Sequence, residues 1–458
     1  MGILKPRRPE PAEGKAILLL AVLIAVITGC ARSSPQPTAL PPEPPRQQET
    51  APPTPKEGAQ VNGMLEEVSG VRVLKMWGSR REMGYAHGYL LADQLQGIVE
   101  DLLFGYLLEN VASGVTYESV VDRLHKYIIW PDGYEDEMKA MIEGLEARLG
   151  ELPLIQHRSI KSGAKRLDAD MLAILNASRD LVDISARETS PCSAFAAWGD
   201  LTGDGQTRAG GNSDRASDGD ILSQYTIVMV RKPDHGLSSV NAGFVGFLGF
   251  SRGMNEKGVA TSPTGVDTGP KAKGPCYPAV IVRDIMEQVE SGPNMVDSIL
   301  RVFTDHPRCG ATNILFAQGK PDWDNPSSDQ MAVVIESDYF GATGRLSSYS
   351  ARIDTPLTEA IITTNDYLER EGAGGTENSA KRYAHIVAVL RTRKVNDLSA
   401  MQEVLQSCQQ GCTIISVYLE SDSRKMHVSF SKEGDPPSPQ LTPVSFTWEE
   451  LFAGIPDS

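Results

Sequence analysis

The stretch Ser190-Pro191-Cys192-Ser193-Ala194-Phe195-Ala196-Ala197-Trp198-Gly199 sets a cysteine at the head of an apolar run. A Gly203-Asp204-Gly205 turn then leads the chain back into Gly210-Gly211-Asn212-Ser213-Asp214. Two such runs joined by a Gly-rich turn read as a β-hairpin, which delivers Asn212 and Asp214 beside Cys192 on the paired strand. A thiol with an acid and an amide at hand can attack a carbonyl carbon, provided that N–H donors hold the oxyanion that forms. On burial habits alone, a cysteine that opens an apolar strand is a core residue. The catalytic reading therefore needs support from elsewhere in the chain.

Further stretches supply it: Gly84-Tyr85-Ala86-His87-Gly88-Tyr89, Gly253-Met254-Asn255-Glu256-Lys257-Gly258-Val259-Ala260, Thr363-Thr364-Asn365-Asp366, Ser379-Ala380-Lys381-Arg382-Tyr383 and Gly411-Cys412-Thr413-Ile414-Ile415-Ser416. With the Cys192 hairpin, these resemble the Cys-type N-terminal-nucleophile hydrolases. The likeness is to the acyltransferase family typified by isopenicillin-N acyltransferase, with the related penicillin and bile-salt amidases, and it runs along most of residues 70–430. Members begin their mature chain with a Cys-[Thr/Ser]-x-[Phe/Tyr]-like sequence followed by a hairpin and an Asn-x-Asp.

The resemblance implies an α+β fold, a four-layer αββα sandwich, in which residues 61–191 form a helical pro-segment that stays associated with a catalytic domain of residues 192–458. It implies self-cleavage between Pro191 and Cys192 by attack of the thiol on the preceding carbonyl. The freed α-amine of Cys192, with an ordinary pKa near 8, then takes the thiol proton, and no histidine is required. Asp214 would hold and orient that amine, Asn365 and a backbone N–H would stabilise the oxyanion, and Arg382 would fix the aspartate or a substrate carboxylate bidentately. Asn212 is a secondary member. The expected reaction passes through an acyl-Cys192 thioester, from a small acyl amide or an ester, to water or an amine acceptor, with no metal or cofactor. The chain departs from the pattern in places. Gly211 stands where the bile-salt branch has an Arg, Thr261, Ser262 and Thr264 stand where the family often offers an Asn, and Pro191 replaces a common Gly.

Other motifs have blander explanations. Gly249-Phe250-Ser251-Arg252-Gly253 fits the Gly-x-Ser-x-Gly pattern of a serine esterase, but that elbow leads into a helix, and here a turn and another strand are expected. His87 has the spacing of a helix-face packing residue. Asp200-x-Thr202-x-Asp204-Gly205 suggests a calcium loop yet has Gly211 where the closing Glu belongs, so a hairpin turn is expected. Cys408-x-x-x-Cys412 has no matching pair for zinc. A phospholipase- or esterase-like hydrolase on the same fold, working through the same thioester, is one alternative, and a catalytically inactive ligand- or partner-binding lipoprotein is the alternative from a different class.

The elements that position these residues follow from periodicity. Residues 70–76 alternate like a strand, and helical spacing fills 80–109, 118–128, 134–149 and 168–184. From Cys192 onward, short strands fit 192–199, 207–211, 225–231, 239–245 and 259–262. Helices at 279–290 and 295–303, strands at 314–317 and 331–336, a helix at 380–391 and strands at 413–419 and 425–430 complete the pattern.

The chain has 458 residues, 40% hydrophobic and 22% charged, an ordinary globular composition. Residues 1–15 carry Lys5, Arg7, Arg8 and Lys15, and the apolar run 16–28 is too short to span a bilayer, which needs about 20 residues. The run ends in Ile27-Thr28-Gly29-Cys30, which resembles a bacterial lipobox, so residues 1–29 read as a signal peptide and Cys30 as the lipid anchor. Nine prolines lie within residues 31–60. They make an extended tether that spans roughly 90 Å at about 3.1 Å per residue. Loss of the leader moves the net charge from −15 to −17. That acidity excludes nucleic acid and electrostatic docking on anionic lipid, so the membrane link is the lipid, in the bacterial envelope, periplasmic or at the cell surface. The remaining Cys276, Cys309, Cys408 and Cys412 allow alternative disulfide pairings, with Cys408 to Cys412 the most local.

Overall fold

The computed structural model describes residues 61–110, 114–181, 191–266, 272–319, 327–346, 357–371 and 375–456. The leader, Cys30 and the tether lie outside these residues. Antiparallel runs with Gly-rich turns build two large sheets. The nine-stranded sheet runs, in spatial order, Gly63–Val68, Val71–Gly78, Thr226–Pro233, Ser239–Phe244, Arg252–Asn255, Ala260–Gly265, Thr312–Ala317, Ala332–Asp338 and Gly341–Leu346. The six-stranded sheet runs Ala360–Thr363, Ser193–Gly199, Gly205–Asp214, Thr413–Glu420, Lys425–Phe430 and Val444–Phe446. Neighbouring strands are antiparallel except where Val71–Gly78 lies parallel to Thr226–Pro233.

Helices cover both outer faces, giving the four-layer αββα sandwich. Ile281–Gln288 and Met295–Asp305 bury Ile281, Ile285, Ile299 and Phe303 against Ile314, Phe316, Val333 and Ile335 of the nine-stranded sheet. Glu377–Thr392 and Leu398–Ser407 bury Ile386, Leu390, Met401 and Leu405 against Phe195 and Ala197 of the six-stranded sheet. Between the sheets, Ala194, Ala196 and Ala209 meet Ala242, Met254, Ala260 and Ala317 within the largest cluster.

The segment before Cys192 is mixed. Its strands at Gly63–Val68 and Val71–Gly78 are an integral edge of the larger sheet, and helices Arg80–Leu90, Tyr117–Tyr127, Tyr134–Leu149 and Ala169–Asn176 follow. The expected single helix over 80–109 is instead Arg80–Leu90, Ala92–Ile98 and a π-helical turn region Val99–Leu108. The Gly84 and Gly88 spacing has a direct cause. A Cβ at Gly88 would lie 1.9 Å from the Met141 carbonyl oxygen, and one at Gly84 2.4 Å from that of Glu137, so only glycine lets the two helices cross this closely. His87, between them, is buried and its Nε2 accepts the Gly246 N–H at 3.1 Å. Burial, helped by Arg231 and Arg283, pushes its pKa down to about 3, so it is a neutral packing residue. Beneath this layer Arg283 pairs with Glu137 at 2.8 Å and Glu287 at 2.6 Å.

The disulfide is Cys276 to Cys309, with Cα atoms 4.9 Å apart. Of the pairings that the sequence leaves open, this is the one formed among the described residues; Cys408 and Cys412, the most local pair, are both free. Cys408 ends a helix with its thiol against the Val404 and Leu405 carbonyls, whereas Cys412 follows the turn.

Candidate active site

Side chains alternate along a strand, so residues two apart share a face. Phe195 and Ala197 enter the helix layer, and Ala194 and Ala196 face the other sheet. Cys192 lies one residue before Ser193, in phase with Ala194, and is buried. Ser193 pairs with Asn212 across the hairpin, as the turn predicted. The turn itself uses Gly199, Gly203 and Gly205 at positive φ, and Asp204 pairs there with Arg208, which fits a hairpin rather than a calcium loop.

Asp214 ends the returning strand opposite Thr413 and is fully buried. Its Oδ1 accepts from Thr413 Oγ1 at 2.5 Å, while its Oδ2 has no hydrogen-bond partner among the described residues. Burial pushes its carboxyl up to about 7, against the opposing pull of the Thr413 hydroxyl, Arg382 and Arg252. Asn212, two residues earlier on the same strand, is bonded into the helix layer. Its Nδ2 donates to the Leu405 carbonyl at 2.9 Å and its Oδ1 accepts from Ser416 Oγ at 2.8 Å, so it ties the strand to the helix layer.

Arg382 is the hub. It projects from Glu377–Thr392, is buried, and its Nη1 donates to the Cys192 carbonyl at 2.6 Å and to Ser193 Oγ at 2.8 Å. Its Nη2 donates to Asn365 Oδ1 at 2.6 Å and its Nε to Asn378 Oδ1 at 2.7 Å. The expected bidentate grip on Asp214 is not among these bonds, which fix Cys192 and Asn365 instead. Asn365 follows the strand Ala360–Thr363, which pairs with the nucleophile strand, and its Nδ2 donates to the Gly265 carbonyl at 2.6 Å. Ser379, from the same helix as Arg382, accepts from the Asn365 backbone N–H at 2.9 Å and donates to Thr364 Oγ1 at 2.9 Å. The Ser-x-x-Arg spacing thus puts two successive helical turns on one loop. The arrangement brings Cys192, Arg382 and Asn365 into one hydrogen-bonded set, with Asp214 beside it on the adjacent strand.

Ser251 is not at a strand-to-helix elbow, since Arg252–Asn255 and then Ala260–Gly265 follow as strands. Among the hydroxyls standing in for the missing Asn, Thr261 Oγ1 donates to the Leu315 carbonyl and Thr264 Oγ1 to that of Thr364. Ser262 Oγ is buried and has no partner among the described residues. Burial pushes the Cys408 and Cys412 thiols up to about 12 each, so both stay protonated near neutral pH. Among the described residues no group of His, Cys, Asp or Glu is arranged to hold a metal ion, and no helix is long and apolar enough to cross a membrane. A cavity of about 310 Å³ at the far edge of the sandwich, lined by Arg72, Thr226, Ser429 and Lys432 among others, does not include Cys192.

Sequence reasoning missed Arg252 and Thr413. Thr413 had a signal, because it opens the strand that pairs with Asp214; Arg252 had none, because it arrives from the other sheet.

No family model matches the chain. An uncharacterized protein of Archaeoglobus fulgidus is 24% identical over 211 residues, which is 42% of this chain and 32% of that protein. The chain therefore spans about a third of the length of that curated relative. Among solved structures, an N-acylethanolamine-hydrolyzing acid amidase ortholog from Caenorhabditis elegans shows 15% identity and a TM-score of 0.35, covering 50% of this chain and 93% of its own. Penicillin V acylase from Agrobacterium tumefaciens shows 13% and 0.32, covering 56% and 85%. A conjugated bile acid hydrolase from Clostridium perfringens shows 12% and 0.35, covering 56% and 92%. These TM-scores are low, and the assignment of the αββα sandwich stands on the layers and strand registers described above.

Proposed function

We propose that this chain is an acyl-amide hydrolase or acyltransferase that frees Cys192 as a new N-terminus and works through an acyl-Cys192 thioester. The observation that carries the reading is the set of hydrogen bonds from Arg382 to the Cys192 carbonyl and to Asn365, with the buried Asp214 carboxylate beside it. An unpartnered buried acceptor costs about 1–3 kcal/mol. An ammonium at position 192 is a group that would satisfy Asp214 Oδ2.

In processing, Cys192 Sγ attacks the Pro191 carbonyl carbon, the C–N bond breaks, and the nitrogen takes the thiol proton. Water then hydrolyses the thioester, leaving a Pro191 carboxylate and a free Cys192 thiol and amine. Arg382 keeps hold of the Cys192 carbonyl, so the new terminus stays in place. In turnover the amine takes the thiol proton and the thiolate attacks the substrate carbonyl. Asn365 Nδ2 and a backbone N–H face the oxyanion, the leaving amine recovers the proton, and water or an amine acceptor releases the acyl group.

Incubation with a panel of N-acyl amides and short esters, quenched in acid, is expected to add an acyl mass to the fragment that begins at Cys192. Asn365→Ala should slow acylation by about 10² to 10³, the loss typical of one oxyanion donor, and Ser251→Ala should leave it within a few-fold of the parent. If Ser251→Ala silences the enzyme while Cys192→Ser retains full activity, the thiol is not the nucleophile.

The lipobox reading adds a location: the enzyme is held at the bacterial envelope by a lipid on Cys30, with the Pro-rich tether as spacer. Metabolic labelling with a fatty acid should mark the full-length protein and not Cys30→Ser. Equal labelling of both would remove the anchor.

A further inference from the structure

Gly211 lies opposite Ala194 on the strand next to the nucleophile. A Cβ at this position would stand 2.3 Å from Ser262 Oγ and 3.1 Å from Arg252 Nε. Both side chains belong to the facing sheet, on Ala260–Gly265 and Arg252–Asn255. The space of the side chain that glycine lacks is thus taken by the Ser262 hydroxyl, with the Arg252 guanidinium at its edge, both reaching from the other layer. Arg252 is only 2% exposed there. Its Nη2 donates to the Asn212 carbonyl at 2.6 Å and the Pro263 carbonyl at 3.2 Å, and its Nη1 donates to Ser251 Oγ at 3.2 Å. These acceptors are all neutral, and Nε has no partner among the described residues. Burying such a cation costs several kcal/mol when no carboxylate is bonded to it. Charges kept at that cost beside a reactive group commonly tune a neighbour's ionisation.

We propose that Arg252 is a positioning residue for this site: buried at the edge of the space left by Gly211, it pins the strand beside Cys192 through the Asn212 carbonyl and favours the charged form of Asp214, two residues along the same strand. The role rests on the reading of Asp214 as the group that receives the freed amine. Among the described residues, the groups that interact with Asp214 are Thr413 and Cys412 at the start of the neighbouring strand, Cys408 at the end of the helix before it, Arg382 from the covering helix and Arg252 from the facing sheet. The thiols of Cys408 and Cys412 are neutral near pH 7, so the positive field comes from the two arginines. Arg382 has every nitrogen bonded to another acceptor. Arg252 is thus the cation whose removal changes Asp214 without undoing the Cys192 and Asn365 hydrogen bonds.

The test reads Asp214 directly. In a Cys192→Ala chain, which cannot process itself, carboxyl carbon NMR of aspartate-labelled protein gives the titration, with Asp214→Asn assigning the resonance. Arg252→Met should raise the Asp214 midpoint by about one unit, the lower end of the effect of a nearby opposite charge. Arg252→Lys should stay close to the parent. Arg252→Gln, which keeps an amide donor on that side chain but carries no charge, should raise the midpoint as Arg252→Met does; this variant decides the matter should Arg252→Met fail to fold. Because no turnover is measured, the outcome is independent of whether Cys192 is the nucleophile. In the Cys192-containing chain, Arg252→Met should shift the acid limb of kcat/KM upward and recover rate at alkaline pH, whereas a purely structural loss lowers activity by one factor at every pH. An unchanged midpoint in folded Arg252→Met, or in folded Arg252→Gln with Arg252→Met unfolded, overturns the proposal.

Discussion

Purified protein is expected to separate under denaturing conditions into two pieces, one ending at Pro191 and the other beginning at Cys192, while Cys192→Ala remains a single chain. The pieces should stay together under native conditions. The strand Val71–Gly78 is paired from Val73 to Gly78 with Val228 to Pro233, and Arg283 is locked to Glu137 across the cleavage point. Processing should also carry the signature of Asp214. With its carboxyl pushed up to about 7 by burial, the group is neutral below that pH and charged above it. Only the charged form can relay the thiol proton to the leaving nitrogen or hold the emerging ammonium. Cleavage should therefore slow as pH falls through about 7, and Asp214→Asn should remove that inflection. N-terminal sequencing of fully active protein that finds no chain starting at Cys192 would eliminate the α-amine as the base.

Arg382→Met is expected to have the largest effect of any substitution that leaves the thiol in place. It removes the donors to the Cys192 carbonyl, Ser193 Oγ, Asn365 Oδ1 and Asn378 Oδ1 together. Each acceptor left buried and unsatisfied costs about 1–3 kcal/mol, and the Cys192 carbonyl and the Asn365 amide both lose their orientation. A loss of turnover beyond the 10² to 10³ expected for Asn365→Ala alone follows, measured as kcat/KM on any substrate that acylates the parent. Arg382→Lys should recover little, because an ammonium cannot span acceptors that a planar guanidinium reaches from separate nitrogens. Thermal unfolding of the same variants separates loss of fold from loss of chemistry. A folded Arg382→Met with parental kcat/KM would take Arg382 out of the site.

Much of this was legible in local pattern. The hairpin from Cys192 to Asp214 could be read because a Gly-rich turn between alternating runs leaves few other conformations, and its register brings Ser193 opposite Asn212. The helix Tyr134–Leu149 was legible to its ends, bounded by glycines at positive φ. The strand Gly341–Leu346 was not, since Gly341 to Gly344 are small and half-buried, so no alternation marks it. The helix Leu398–Ser407 was overlooked despite a capping signal, the Asp397 side chain accepting the Ala400 N–H.

The sequence by itself determined which residues could carry the chemistry, because nucleophile, acid and amide types at hairpin and helix spacings are properties of local chain geometry. It did not determine what those residues touch. Asn212 arrives at the nucleophile's neighbour, yet its side chain is committed to the helix layer because the strand's alternation turns it there. Arg382 bonds to Cys192 and Asn365, residues 190 and 17 positions away in the chain. Ser262 and Arg252 close on Gly211 from the opposite sheet. These contacts depend on how two sheets stack, and stacking is settled by the packing of whole faces, which no short-range spacing encodes.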